Sequence, residues 1–392
     1  MFGFKYFAPT EVDFGEGAVA HAGELVKRYG GGKVLLHYGG GSVVRSGLLD
    51  RVRQSLDDAG IGYAELGGVV PNPRLSKVYE GIELCRRESV DFLLAVGGGS
   101  VIDSAKAIAY GLANAGDVWD LFEHVKTAGA CLPVGVVLTI AAAGSETSNS
   151  CVITNVETGK KRAYNDDRAR PKFAIMDPAL TMTLPDYQTA CGCTDILMHT
   201  EERYFTNGGN MELTDGIAEA LMRTVIKNAY ILRRDPTNYD ARAEIMWAGS
   251  LSHNGLTGCG NGGGDFASHM LEHELGGMFD VAHGAGLAAI WPSWARYVYR
   301  DCLPRFKRFA CNVMGIEAAG SDEETALAGI AAMEAFYHAI GMPTSLKELG
   351  LAPTEEQIAE LAQRCVAATG GKAGSAKVLR EADMVAIYKM AR

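Results

Sequence analysis

The sequence lacks the features that mark several large classes of protein. No apolar run reaches the roughly 18 residues that a membrane-spanning helix needs. Residues 1–15 contain no apolar core of the kind found in secretory signal peptides. No dense run of Lys and Arg is present, and a formal net charge of −10 argues against a nucleic-acid-binding protein. We therefore expect a soluble, cytoplasmic protein with no nucleic-acid or membrane partner.

The sequence also lacks CxxC cysteine pairs and two common motifs of enzymes. Its nine cysteines include no CxxC, and the nearest two are Cys191 and Cys193. An odd, scattered set favours reduced thiols over a disulfide scaffold. The GxSxG nucleophile elbow and the P-loop lysine motif are absent, and neither glycine turn that follows a predicted strand has the GxGxxG fingerprint. A hydrophobic fraction of 47% and a length of 392 residues are typical of a globular protein with two domains.

The first half of the chain alternates strand-like and helix-like segments. Continuous apolar runs predict buried strands at 33–38, 63–66, 92–96, 134–138 and 172–176. Amphipathic spacing predicts helices at 43–59, 75–88 and 100–112 between them. This alternation is typical of a parallel, doubly wound sheet, so we predict a Rossmann-like dinucleotide-binding domain over residues 1–186.

The second half has a different pattern. Strand-like runs disappear after about residue 186, and amphipathic stretches take their place at 195–205, 212–233, 239–256, 266–275, 284–299 and 323–339. We predict an all-helical domain over residues 187–392. The expected fold class is α/β plus all-α.

Two strand–glycine–helix turns predict where a cofactor would bind. Gly97-Gly98-Gly99-Ser100 follows a predicted strand and opens a predicted helix, where backbone N–H groups and the helix dipole favour a pyrophosphate. The turn at residues 39–42 contains no acidic residue for a ribose 2′-OH and leaves room for a 2′-phosphate, with Arg45 nearby. The alternative for both is a tight turn that binds no ligand.

Five candidate metal ligands fall in two short windows of the second domain. Asp195 and His199 are four residues apart, as are His269 and His273, so each pair shares one helix face. His283 follows ten residues later. Imidazole and carboxylate ligands together suit Fe(II) or zinc. Beside a nicotinamide, such a metal has a use as a Lewis acid that polarises an alcohol or aldehyde oxygen during hydride transfer.

Several motifs together resemble a known family. They are Pro71-Asn72-Pro73, AVGGGSVIDSAKAIA from Ala95, AAAGSETSNSCVIT from Ala141, DPALTMTLP from Asp177, and HMLEHELGGMFDVAHGAGLA from His269. The chain resembles the iron-containing (group III) alcohol dehydrogenases, in their bacterial butanol-dehydrogenase-like branch. The resemblance implies a dehydroquinate-synthase-like fold, a homodimer, and NAD(P)H-linked interconversion of primary alcohols and aldehydes.

The resemblance also implies roles for individual residues. Asp195, His199, His269 and His283 would bind the metal, whereas His273 would face the nicotinamide with a part in proton relay. The implied cofactor contacts are Gly40, Ser42, Asn72, Gly98, Gly99, Ser100, Asp103, Thr139, Ser145, Thr147 and Lys160. NAD-preferring relatives have an Asp in the first glycine turn, so its absence implies NADP, with NAD possible.

One departure and two alternatives remain. Cys191 and Cys193 stand where small or apolar residues are more usual, so these thiols are either inert or sensitive to oxidation. A lyase of the same fold, such as a dehydroquinate synthase, would need Lys and Arg side chains near the metal to hold a phosphorylated substrate. A non-catalytic binding protein would keep the ligands without turnover.

Overall fold

The computed structural model describes residues 1–392, which divide into two compact units. One unit consists of Ala8–Thr183, and the other of Met1–Phe7 together with Leu184–Arg392. The sequence analysis placed residues 1–186 in the first domain. The first seven residues lie instead with the second unit, where the backbone N–H of Phe2 donates to the carbonyl of Gly260 at 3.0 Å.

The Ala8–Thr183 unit is built on a six-stranded sheet. The strands are β1 (Glu11–Phe14), β2 (Lys33–Tyr38), β3 (Gly62–Leu66), β4 (Phe92–Gly97), β5 (Val134–Leu138) and β8 (Phe173–Met176). Their order in the sheet is β1-β8-β5-β4-β2-β3, and every neighbouring pair is parallel. β4, β5 and β8 are buried along their whole length, as expected for the central strands of a parallel sheet.

Six helices connect or flank these strands. They are α1 (Ala22–Arg28), α2 (Ser42–Arg45), α3 (Leu48–Asp58), α4 (Leu75–Glu88), α5 (Gly99–Ala113) and α6 (Trp119–Phe122). The sequence predicted one helix over 43–59, but the chain breaks between α2 and α3 because Gly47 adopts a left-handed φ of 71°.

A short antiparallel hairpin lies outside the main sheet. It consists of β6 (Ser150–Asn155) and β7 (Lys160–Asn165). The sequence analysis did not predict it, because the β7 sequence KKRAYN is mostly polar and lacks a clear apolar alternation.

The second unit is helical. Its helices are α7 (Asp186–Tyr204), α8 (Glu212–Arg234), α9 (Tyr239–His253), α10 (Ala267–Phe279), α11 (His283–Val298), α12 (Leu303–Asn312), α13 (Asp322–Ala339), α14 (Glu355–Ala368) and α15 (Glu381–Ala391). None of the helices combines the length and apolar character needed to cross a membrane. The predicted fold class, a parallel α/β domain and a helical domain, is confirmed.

Aromatic side chains fill the core of the helical unit. Trp291 and Trp294 on α11 are fully buried, and Phe205 at the end of α7 stacks on Phe306 of α12 with ring centroids 4.2 Å apart. This packing fixes α11 against α7. The two helices carry three of the predicted metal ligands.

Candidate metal and cofactor sites

Asp195 is the point at which the predicted metal ligands meet. Its Oδ1 lies 3.1 Å from Nδ1 of His199, 3.6 Å from Nε2 of His269 and 3.7 Å from Nε2 of His283. Asp195 and His199 come from α7, His269 from α10 and His283 from the first residue of α11. The structure therefore brings together one carboxylate and three imidazoles from three helices.

Two of these ligand atoms are buried without a hydrogen-bond partner. They are Oδ1 of Asp195 and Nε2 of His269, on side chains that are 5% and 6% exposed. Burying a polar atom without a partner is costly, so such atoms are rare in folded proteins. Two of them facing each other at 3.6 Å fit a site built around a cation.

Buried carboxylates orient two of the imidazoles. Glu202 on α7 hydrogen-bonds Nδ1 of His269, and Glu272 on α10 hydrogen-bonds Nδ1 of His283. Both glutamates are fully buried. A hydrogen bond at Nδ1 fixes the tautomer and directs Nε2 toward a metal, as outer-shell carboxylates do in metalloproteins. For His199, the backbone carbonyl of Asp195 lies 3.0 Å from Nδ1 and leaves Nε2 available.

Sequence reasoning missed the role of these two glutamates. A Glu in an amphipathic helix normally indicates an exposed face, and neither spacing nor motif distinguished Glu202 or Glu272 from surface acids. The sequence signal that could have indicated them is their position relative to the candidate histidines. Glu202 is three residues after His199, and Glu272 is three residues after His269, which places each on a face shared with a ligand.

Burial and the neighbouring carboxylates shift the pKa values of the site in different directions. Burial lowers the pKa of His199 to about 4, which keeps the ring neutral as a ligand must be. Burial opposes ionisation of Asp195, but His199 and His283 outweigh it and lower its pKa well below the usual value. Burial also opposes protonation of His269, yet the Glu202 and Asp195 carboxylates raise its pKa to about 10. Metal binding to His269 therefore releases a proton.

His273 lies beside this cluster. It is 7% exposed on α10, and its ring centroid is 6.2 Å from that of His269 and 5.8 Å from that of His283. One nitrogen of His273 lies within 4.8 Å of ligand atoms of Glu272 and His283. The structure thus places all five candidate residues in one region. Only four of them form the set centred on Asp195 Oδ1.

Of the two cysteines near the site, Cys193 is buried and Cys191 is partly buried. Burial raises the pKa of both Cys191 and Cys193 to about 12. The thiolate is the reactive form, so both side chains are expected to be inert at neutral pH.

The glycine turns of the other unit lie side by side. Tyr38 pairs with Val96, so the turns at 39–42 and 97–100 follow adjacent parallel strands at the same edge of the sheet. The strand order reverses between β2 and β4, and such switch points are where open α/β sheets bind ligands. A Cβ on Gly98 or Gly99 would lie 3.0 Å from Ile140 or Ala143, a tight contact that would need these neighbouring side chains to shift.

Most of the implied cofactor contacts follow strands that end at this edge. Gly40 and Ser42 are exposed in the first turn, while Gly98, Gly99 and Ser100 begin α5. The loop after β5 carries Thr139, Ser145 and Thr147, and the segment before α4 carries Asn72 with a φ of 53°.

Asp103 and Lys160, two of the implied contacts, have charged side chains that already interact within the protein. Asp103 accepts hydrogen bonds from Ser145 Oγ at 2.6 Å and from the backbone N–H of Val152 at 2.9 Å. Lys160 lies on the separate hairpin, where its Nζ donates to Glu123 at 3.1 and 3.2 Å. A direct cofactor contact by Lys160 would share its Nζ with this ion pair.

Family models match both units of the chain. Residues 9–178 match the model described as iron-containing alcohol dehydrogenase. Residues 189–392 match the model of the C-terminal region of the Fe-containing alcohol dehydrogenase family.

Individual relatives match over nearly the whole chain. The NADH-dependent butanol dehydrogenase A of Clostridium acetobutylicum is 40% identical over 390 residues, which is 99% of each chain. The NADPH-dependent aldehyde reductase YqhD of Escherichia coli is 38% identical over 90% of each chain. Among solved structures, the NADH-dependent butanol dehydrogenase A of Thermotoga maritima has a TM-score of 0.96 at 40% identity, covering 100% of this chain and 99% of its own.

Proposed function

The chain belongs to the iron-containing alcohol dehydrogenase family, and we propose that it interconverts primary alcohols and aldehydes with NADP(H) and one divalent metal. It is an oxidoreductase of the alcohol dehydrogenase and aldehyde reductase class. The observation that carries the metal assignment is the convergence of three imidazoles on Asp195 Oδ1.

The proposed roles follow the geometry of each unit. Asp195, His199, His269 and His283 hold the ion, and the Glu202 and Glu272 carboxylates keep two of those rings oriented. A divalent ion so held supplies Lewis acidity, which lowers the pKa of an alcohol hydroxyl and polarises an aldehyde carbonyl. The glycine turns at the sheet edge bind the dinucleotide through backbone N–H groups at the start of α5.

We propose His273 as a proton-transfer residue and not a ligand. Its ring centroid is 6.2 Å from that of His269, and its nitrogen groups with Glu272 and His283, beside the set of Asp195, His199 and His269. His273→Ala is expected to keep the metal and lose rate, while His269→Ala loses both. Metal content and kcat of the two variants test the division of roles, and it is wrong if His273→Ala loses the metal.

We propose NADP over NAD because of the first glycine turn and Arg45. A Cβ on Gly41 would lie 2.3 Å from an Arg45 guanidinium nitrogen, so this cation lies over the turn. Arg45 is exposed and forms no side-chain ion pair, whereas Arg53 on α3 is paired with Glu65 and Asp50. A free guanidinium at this position suits a 2′-phosphate.

Arg51 provides a matched control for Arg45. It is also exposed, forms no side-chain ion pair, and lies on α3. Arg45→Ala is expected to lower kcat/KM for NADPH by about tenfold to a hundredfold, the value of one charge-assisted hydrogen bond, with little effect on NADH. Arg51→Ala should change neither. A wild-type kcat/KM that is clearly higher with NADH would refute the preference.

The lyase alternative is distinguished from the dehydrogenase by whether oxidised nicotinamide accumulates. A dehydrogenase converts NADPH to NADP in proportion to added aldehyde, whereas a lyase of this fold uses its nicotinamide transiently. Arg203, a cation beside the site, hydrogen-bonds the carbonyls of His199 and Ser252, which favours the dehydrogenase. Purification without added metal, analysis for iron and zinc, and assays over an aldehyde series test metal and substrate together.

We also propose a homodimer. β1 is an edge strand that pairs only with β8, and unpaired edges favour association with another strand. In the helical unit, Phe2 and Phe4 are 52% and 54% exposed, which is unusual for large aromatic side chains. Light scattering coupled to size exclusion would give the mass of two chains, and a single-chain mass would contradict the proposal.

A further inference from the structure

Lys106 on α5 is a fully buried lysine with an unusual set of contacts. Its Nζ donates to the Ser145 carbonyl at 2.7 Å, the Ser145 hydroxyl at 2.9 Å, the Ser148 carbonyl at 3.0 Å and the Ser150 carbonyl at 2.8 Å. All four acceptors belong to one segment between β5 and the start of β6. Lysine is rarely buried to this extent unless it is paired.

The positive charge of Lys106 is connected to the carboxylate of Asp103 through the hydroxyl of Ser145. Ser145 Oγ accepts from Lys106 and donates to Asp103 Oδ1 at 2.6 Å, so the cation and the carboxylate are linked across one side chain. The other Asp103 oxygen accepts from the Val152 backbone N–H. Burial lowers the pKa of Lys106, while Asp103 opposes that shift.

The segment that Lys106 contacts has no regular structure of its own. Residues 139–149 contain neither helix nor strand, and irregular backbone depends on side chains for its shape. Arg170 supports the same segment by donating to the Thr147 carbonyl at 2.7 Å. Two cations therefore fix its carbonyl groups, and the segment carries Thr139, Ser145 and Thr147, three of the implied cofactor contacts.

We propose that Lys106 is a positioning residue for the nicotinamide dinucleotide. Its hydrogen bonds hold the segment between β5 and β6 against α5. The first turn of α5 begins at Gly98 and Gly99. Cofactor affinity thus depends on a side chain that does not touch the cofactor, and Asp103 acts as part of the same brace. This inference rests on the proposed binding of a dinucleotide at the glycine turns.

Lys106→Met tests the inference in the metal-loaded full chain. The substitution keeps most of the length of the side chain and removes every donor. The Kd for NADPH, measured by titration calorimetry, is expected to rise about tenfold or more because several charge-assisted hydrogen bonds to the segment are lost. At saturating NADPH, kcat should stay within about threefold of wild type because no reacting group is removed. Metal content should be unchanged.

Leu25→Ala separates positioning from general stability. Leu25 is buried in α1, which packs against α3, and its truncation lowers the melting temperature of the same unit without touching the segment. Its Kd for NADPH should equal that of the wild type. An unchanged Kd in Lys106→Met, or an equal rise in Leu25→Ala, overturns the proposal.

Arg170→Gln provides a second route if Lys106→Met does not fold. It removes the hydrogen bond from Arg170 to the Thr147 carbonyl, and it should raise the Kd for NADPH by a smaller factor than Lys106→Met. An unchanged Kd in this variant also overturns the proposal. A wild-type protein that binds no nicotinamide would instead refute the proposed function, so the two failures are distinguishable.

Discussion

Glu201 and Glu202 are adjacent on α7 and equally buried, yet their surroundings differ. Glu202 accepts from the backbone N–H of His269 at 3.0 Å and hydrogen-bonds its ring. Neither carboxyl oxygen of Glu201 has a hydrogen-bond partner, and burial together with Glu202 raises its pKa well above the usual value. The first side chain orients a metal ligand, and the second behaves as a neutral core group.

This contrast gives a matched pair of variants. Glu202→Gln preserves shape but weakens the hydrogen bond that orients His269, and loss of such outer-shell partners typically costs about 10- to 100-fold in metal affinity. Glu201→Gln exchanges one neutral group for another and should leave the affinity unchanged. Competition with a chelator measures both. Equal affinities in the two variants would show that Glu202 has no orienting role.

His37 predicts a pH dependence of stability. Its Nδ1 donates to the Leu66 carbonyl at 2.9 Å, which leaves Nε2 to accept from Ser104 at 2.9 Å. Burial lowers the pKa of His37 to about 4, below the unfolded value of about 6.5. The unfolded chain therefore takes up a proton first as the pH falls. The stability from neutral His37 is present above pH 6.5 and is lost toward pH 4.

His37→Asn removes this titration. The variant should be less stable than wild type at pH 7.5, because it loses the Ser104 contact. The difference should shrink by about 2 kcal/mol between pH 7.5 and pH 5, as linkage requires for this pKa shift. Urea unfolding at the two pH values measures it. A difference that stays constant contradicts the assignment of a neutral buried ring.

At the level of elements, the metal ligands depend on close packing of α11 against α7. Gly284 follows His283, and a Cβ at this position would lie 2.2 Å from the Cys191 carbonyl oxygen. Gly286, one turn into α11, would place a Cβ 2.8 Å from Cγ of Glu272. Small residues therefore allow α11 to approach the helices that carry Asp195 and Glu272.

Gly284→Ala should separate the start of α11 from α7 and displace His283. We expect loss of metal affinity together with lower stability, since the clash is with backbone. Gly216→Ala on α8 is the control. It is exposed and has no atom within 4 Å of an added Cβ, so alanine should be neutral or stabilise the helix by up to about 1 kcal/mol. Full metal content in Gly284→Ala would contradict the packing argument.

The sequence predicted elements where one physical signal was dominant. β2, β5 and α4 have the predicted bounds because apolar runs or helical spacing end at glycine or a turn. The β6–β7 hairpin was not predicted, because its two strands are held by hydrogen bonds to each other and the β7 sequence shows no apolar alternation. The i, i+4 spacing predicted candidate ligands at His199, His269 and His273, and the resemblance chose among the candidates and assigned His283 as a ligand. Their glutamate partners, which depend on how α7, α10 and α11 pack, were visible only in the structure.

For the whole molecule, the proposed function places the metal in the helical unit and the dinucleotide in the Ala8–Thr183 unit, so each unit should respond to the removal of its own ligand. Chelation is expected to raise amide hydrogen exchange in α7, α10 and α11, because a ligand present at a thousand times its Kd contributes about 4 kcal/mol to the state that binds it. Exchange in β4 and α5 should change only when NADP(H) is removed. Hydrogen-exchange mass spectrometry resolves the two patterns. Chelation that destabilises β4 and α5 equally would contradict the separation.

The metal content of the purified protein tests the central claim most directly. Wild type and His269→Ala are compared by mass spectrometric metal analysis, and circular dichroism verifies that both are folded. The variant lacks His269 Nε2, the buried nitrogen that has no hydrogen-bond partner. We predict one divalent ion per chain in wild type and almost none in a folded His269→Ala, together with loss of aldehyde reduction. A folded His269→Ala that keeps its metal and activity would contradict the assignment of Asp195, His199, His269 and His283.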